Sequence, residues 1–138
     1  MDKPFGEFDH SGDIGIEARG DSREELIEYL SRGLFSLMCQ SRVAGSIDRR
    51  IVVASGSLEG LIVDWLSEII SAVDVHGEVY GTVRVDKLES GRLEGVIRGE
   101  RYDPKKHELR FEVKAATYHG LAVEHSGGRY RARVIFDL

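Results

Sequence analysis

The chain has 138 residues, 41% hydrophobic and 31% charged, with a net charge of −5 and one cysteine. That length suits one domain burying roughly two-thirds of its unfolded surface, so neither disulfides nor a structural metal are needed simply to fold. The composition excludes a disordered chain. The acidic balance argues against broad nonspecific binding to nucleic acid, and lone Cys39 excludes a disulfide framework or a Cys-rich zinc site.

No apolar run follows Met1-Asp2-Lys3-Pro4, and no stretch is long enough to span a bilayer, so the cytoplasm is the expected location, with no membrane partner. Phe5 to Phe8 reads as a short strand entering the loop Asp9-His10-Ser11-Gly12-Asp13. Ile14, Ile16 and Ala18 then alternate with Gly15, Glu17 and Arg19, the pattern of a half-buried strand. Asp13 shares the parity of Glu17 and Arg19 and is expected to face away from the core.

Ser22 and Glu25 make a capping-box signature. From there Leu26, Ile27, Leu30, Leu34, Phe35, Leu37 and Met38 recur at helical spacing, fading near Cys39 to Ser41. Gly33 interrupts this helix at a cost of about 1 kcal/mol relative to Ala, which close packing against a neighbour would explain. Cys39 lies in the apolar pattern and reads as a packed thiol. Ile51-Val52-Val53 is a short strand, and Ser57 caps a second helix whose wide stripe includes Leu58, Leu61, Ile62, Trp65, Leu66, Ile69, Ile70 and Val73.

The remainder is mostly strand. Val79 to Leu88 and Leu93 to Arg98 flank a hairpin turn at Glu89-Ser90-Gly91-Arg92. Tyr102-Asp103-Pro104 breaks the chain before a polar loop at Lys105-Lys106-His107. Leu109, Phe111, Val113 and Ala115 alternate with Arg110, Glu112, Lys114 and Ala116 as a further strand, and Leu121 to Glu124 continues after Tyr118-His119-Gly120. Ser126-Gly127-Gly128 turns into a last strand with Tyr130, Ala132, Val134 and Phe136 facing inward. The economical architecture is α+β: a single compact domain over 1–138, two helices packed on a mostly antiparallel or mixed β-sheet.

Four anionic groups lie near the two ends: Asp9, Asp13, Asp137 and the carboxylate of Leu138. Hard cations such as calcium or magnesium take several such oxygens, and these converge if the first and last strands meet. The same Asp-His-Ser-Gly-Asp run is also good turn chemistry, and a terminal Asp-Leu is an ordinary frayed strand end. His10 and His119 suit transition metals if they are neighbours; the alternative is a pair of hydrogen-bonded structural histidines. Tyr118 reads as a core or rim aromatic. Lys114 is either solvated or a contact for an anion or carboxylate. Arg98, Arg101, Lys105, Lys106 and His107 form one basic segment, and Arg129, Arg131 and Arg133 a basic strand face; either can touch RNA phosphates or an acidic partner, or simply be solvated. No P-loop, dinucleotide fingerprint or nucleophile elbow is present.

Asp9 to Asp13, the Trp65 helix, Lys114-Ala115-Ala116-Thr117-Tyr118-His119 and Asp137-Leu138 together resemble archease across nearly the whole chain. The family pattern is Asp-His-Thr-Ala-Asp, a Trp-containing second helix, Lys-Ala-Val-Thr-Tyr-His, and a final Asp followed by an aliphatic residue. Ser11, Gly12 and Ala116 depart from it; both aspartates remain.

The resemblance implies a metal site at Asp13, Asp137 and Leu138, the last through its carboxylate, with calcium as the ion. Asp9, His10, Lys114 and His119 are candidate supporting or partner-contact residues. It also implies partnership with an RtcB-type RNA ligase in tRNA splicing or RNA repair, with RNA met only through the ligase. That enzyme uses GTP and manganese through a guanylylated histidine to join 3′-phosphate or 2′,3′-cyclic phosphate ends to 5′-hydroxyl ends. An archease promotes guanylylation, sustains repeated turnover and broadens nucleotide use; it is a protein cofactor and not the enzyme. The other classes are a metal-binding chaperone or interaction module, and a metal-dependent hydrolase using the carboxylates with His10 or His119.

Overall fold

The computed structural model describes residues 3–138; Met1 and Asp2, part of the sequence argument about the N-terminus, lie outside the described residues. Chain order is β1 (Phe5–His10), β2 (Asp13–Gly20), α1 (Arg23–Met38), β3 (Ile47–Ala54), α2 (Leu58–His76), β4 (Glu78–Glu89), β5 (Arg92–Arg101), β6 (Ala115–Ala116), β7 (Val123–Ser126) and β8 (Arg129–Asp137). The class is α+β, as expected. The strands form two sheets rather than one, however, and every pairing among the described residues is antiparallel. One sheet runs β1-β2-β8-β6, with β7 sharing the far edge of β8; the other runs β3-β5-β4.

The two helices tie the sheets together. α1 packs on β2 and β4, and α2 packs on β3, β4, β5 and β6. Each helix begins at a serine: Ser22 Oγ accepts from Glu25 N at 3.0 Å, and Ser57 Oγ accepts from Gly60 N at 3.0 Å. Glu25 reaches back as a capping box requires, but to the amide of Asp21 at 3.1 Å, one residue before the cap. α2 stops at Gly77, whose φ of 63° permits the left-handed turn and whose N–H donates to Val73 O.

Leu26, Leu30, Leu34, Leu37, Trp65, Leu66 and Ile69 from the helices meet Ile16, Leu93, Ile97, Val134 and Phe136 from the sheets in one core. Trp65 is fully buried, and its Nε1–H donates to Ser31 Oγ at 2.8 Å, while that hydroxyl donates to Ile27 O at 2.7 Å. The expected packing reason for Gly33 is present: a Cβ there would lie 2.5 Å from Ile16 Cγ2, so α1 sits directly on β2.

Three expectations need correction. The short third strand extends from Ile47 to Ala54. The alternating run from Leu109 is not a strand; only Ala115 and Ala116 pair with β8, apart from an isolated bridge between Leu109 and Cys39. Its backbone instead serves the end of α1, with Arg110 N donating to Met38 O and Phe111 N to Leu37 O, both at 3.0 Å. Those are carbonyls a helix terminus leaves without intrahelical donors. The polar loop is also not wholly solvated, because His107 is buried. Its Nδ1 accepts from Asp103 N at 2.9 Å, and its Nε2 lies 3.4 Å from Glu100 Oε2 without a well-formed hydrogen bond.

Candidate functional site

The acidic loop is a tight hairpin. β1 runs through Asp9 to His10, which pairs with Asp13, leaving only Ser11 and Gly12 between the strands. Their φ values of 45° and 90° are both positive, as a type I′ turn requires, and glycine accommodates the second at no steric cost. Serine is the one non-glycine residue with positive φ among the described residues.

Strand register then brings the chain ends together. Ile14 pairs with Phe136, and the same register carried one residue outward sets Asp13 opposite Asp137. Asp137 in turn pairs with Ala115. Cross-strand partners share a face, so His10, Asp13, Asp137 and Ala115 form one row across four adjacent strands. Asp137 is exposed and Asp13 half-buried. The last strand β8 thus meets β2 and not the first strand β1, and it is this pairing that sets Asp13 opposite Asp137. Asp9 is separated from them: it pairs with Ile14, on the opposite face of the sheet.

The segment after β6 folds over the same face. Thr117 N and Oγ1 both donate to Ile135 O, at 3.0 and 2.8 Å, and Thr117 Oγ1 accepts from His119 N at 3.3 Å. Leu121 N donates to Tyr118 O, closing a turn that Gly120 completes with φ of 64°. This brings the His119 ring to 5.1 Å from that of His10, with the planes inclined at 60°. Tyr118 is 60% exposed, so it belongs to the rim and not the core. Lys114 donates its backbone N–H to Asp137 O at 2.9 Å and has an exposed side chain. Leu138 is half-buried against the core edge.

Beneath the row, the outer face is held by a stack. Phe8 pairs with Gly15, where any Cβ would collide with the Phe8 ring, and the Arg133 guanidinium lies 3.9 Å from that ring's centroid. The basic strand face is largely neutralised: Arg129 faces Asp21 at 3.4 Å, and Arg131 and Arg133 share Glu17 at 3.0 and 3.5 Å. In the other basic segment, Arg98 pairs with Asp48 and Lys106 with Glu100.

Among the described residues no three His, Cys, Asp or Glu side chains converge closely enough to hold a metal ion. Asp13 and Asp137 present carboxylate oxygens at this end of the sheet, the donor chemistry that suits a hard cation. His10 and His119 add imidazole nitrogen on the same face.

Two features escaped the sequence. Glu78 is buried and accepts from Arg49 Nε and Nη2 at 2.9 and 2.7 Å, and from Tyr80 Oη at 2.7 Å. The Arg49 hydrogen bonds, helped by Tyr80 and opposed by burial, hold its carboxyl down at about 2. Burial, with the bond to Glu78, pushes the Tyr80 phenol up. An apolar groove of about 380 Å³ also opens between the ends of α1 and α2, lined by Phe35, Met38, Cys39, Val73, Phe111 and Val113. It is formed by the irregular 109–113 segment, which no period-2 pattern foretells. No helix among the described residues is long and apolar enough to cross a membrane.

The sequence profile of the Archease protein family (MTH1598/TM1083) matches residues 5–138. The chain is 38% identical to protein archease of Thermococcus gammatolerans, covering 95% of this chain and 96% of that protein. It is 35% identical to protein archease of Pyrococcus abyssi, covering 99% of each. Among solved structures it resembles protein 1598 of Methanobacterium thermoautotrophicum, with a TM-score of 0.81 and 32% identity over 98% of this chain and 99% of that one. It also resembles an archease of Thermotoga maritima described as a possible chaperone, with a TM-score of 0.67 and 27% identity over 100% and 98%. This two-sheet, two-helix domain with its paired chain ends belongs to the archease family.

Proposed function

We propose that this protein is an activator of an RtcB-type RNA ligase in tRNA splicing or RNA repair, working in the cytoplasm as a protein cofactor and not as the catalyst. The observation that carries the reading is the register that sets Asp13 opposite Asp137 at one exposed end of the domain. Asp13, Asp137 and the Leu138 carboxylate would hold a divalent cation, calcium in this reading. Such an ion, when bound, supplies a positive centre for phosphate oxygens.

The residues of the chain do the rest. The hairpin turn at Ser11-Gly12 projects the acidic row, while Phe8, Gly15 and Arg133 pack together on the sheet behind it. A ligase that binds GTP and RNA ends needs a basic, phosphate-facing cleft, and an acidic tip complements it. To promote guanylylation, the tip must bind the guanylylation-competent ligase more tightly than the spent form, because a partner shifts an equilibrium only by its differential affinity.

The relative described as a possible chaperone supports a second reading, a general interaction module acting through an apolar surface. Here Leu109 is 53% exposed beside the apolar groove. Guanylylation of the ligase with GTP separates the two. Under the activator reading, wild type stimulates it, Asp13→Ala does not, and Leu109→Ser retains stimulation. Stimulation that survives Asp13→Ala and fails with Leu109→Ser would reverse the assignment.

A further inference from the structure

We propose that His10 and His119 form a bis-imidazole site for a borderline transition-metal ion of the zinc and cobalt(II) class. This site is distinct in ligands and in preference from the carboxylate set. The two rings come from remote parts of the sequence, the β1–β2 hairpin and the turn after β6. Two independent backbone devices deliver them: the His10–Asp13 pair that closes the hairpin, and the Thr117 hydroxyl, which accepts from His119 N while donating to Ile135 O.

The spacing fits shared coordination. A tetrahedral ion held by two imidazole nitrogens at about 2.0–2.1 Å puts the ring centroids roughly 5 Å apart; here they are 5.1 Å apart. The 60° inclination is not a parallel stack. His119 is exposed and His10 half-buried, so an ion reaches the pair directly from solvent. Since no third His, Cys, Asp or Glu side chain converges with them among the described residues, the site keeps open coordination positions. Water, or an oxygen ligand from a docked partner, fills these.

The donor type decides the ion. Imidazole nitrogen suits zinc, cobalt, nickel and copper, whereas calcium and magnesium take oxygen. His10 also lies in the row that contains Asp13 and Asp137, so nearby carboxylates favour a cation on this face without having to ligate it. The pair therefore stands whether or not those carboxylates bind calcium.

The test is a cobalt(II) titration of untagged protein read by visible absorption, with zinc competition, for wild type, His119→Ala, His10→Ala and Asp137→Ala. The expected result is saturable one-to-one binding displaced by zinc. Each histidine change should weaken it by more than the roughly 10–100-fold that loss of an outer-sphere partner costs. Circular dichroism confirms that the variants fold, and His119→Ala, at an exposed position, is the decisive one. Absence of saturable binding by wild type, or binding unchanged in His119→Ala, overturns the proposal; so does binding that needs Asp137 but not His119. Calcium binding measured in parallel reports on the carboxylate site separately, and its failure leaves the cobalt result intact.

Discussion

Asp13 and Asp137 stand opposite each other across the β2–β8 pair, one register step beyond Ile14 and Phe136. Both flanking residues are apolar, and Phe136 is fully buried, so the hydrophobic pattern that locks this register also fixes the carboxylate pair. A slip of one residue would turn Phe136 to the solvent face. Placement of the acidic pair is thus a consequence of core packing, although neither aspartate contributes to the core.

The cation reading depends on carboxylates at an exposed end. Asp13→Asn, or one extra residue appended after Leu138, should abolish calcium binding measured by calorimetry. Stability without metal should change by less than about 1 kcal/mol, because half-buried Asp13 sits at a strand end and outside the hydrophobic core. Unaltered calcium binding by the extended protein would remove the Leu138 carboxylate from the ligand set.

Ser31 carries the polar joint between the helices. Ser31→Ala leaves Trp65 Nε1 buried and without its acceptor, which costs about 1–3 kcal/mol. Urea denaturation should show a lower midpoint with an unchanged slope. A midpoint equal to wild type would mean that Trp65 finds another acceptor.

Gly33 opposes two effects of similar size. Alanine gains about 1 kcal/mol of helix propensity. Its Cβ, however, would sit 2.5 Å from Ile16 Cγ2, a fully buried side chain in the packed core, and overpacking costs about 1–3 kcal/mol. Steric cost wins, so Gly33→Ala should melt at a lower temperature than wild type.

Glu78 predicts a specific acid sensitivity. Its carboxyl titrates at about 2 in the folded protein, chiefly because Arg49 hydrogen-bonds it, against about 4.3 in an unfolded chain. A depressed folded value means the stabilisation is complete above the unfolded value and is lost as pH falls from about 4.3 towards 2. Glu78→Gln should flatten the stability–pH profile in that window relative to wild type, as followed by urea melts at successive pH values. An unchanged slope there would show that other carboxylates carry the acid response.

The fold was legible where one physical signal dominated. Serine caps, the helical stripes around Leu30 and Trp65, and the inward parity of Ala132, Val134 and Phe136 all appear where the pattern places them. The Leu109–Lys114 alternation misled because the Arg110 and Phe111 amides serve helix carbonyls of α1, a tertiary demand that periodicity does not encode. His107 misled because the two lysines before it disguise a buried ring that accepts from Asp103 N. At the site, the meeting of Asp13 with Asp137 follows from strand order, which a sequence does not display. The exclusion of Asp9 follows from parity once β1 is seen to extend to His10.

The most direct test is RNA joining by the cognate ligase at limiting enzyme, with wild type or Asp137→Ala present. The account predicts many turnovers with wild type and a single round with Asp137→Ala, whose fold is retained. Equal product from both, or no stimulation by wild type of a ligase that completes its first turnover, would contradict it.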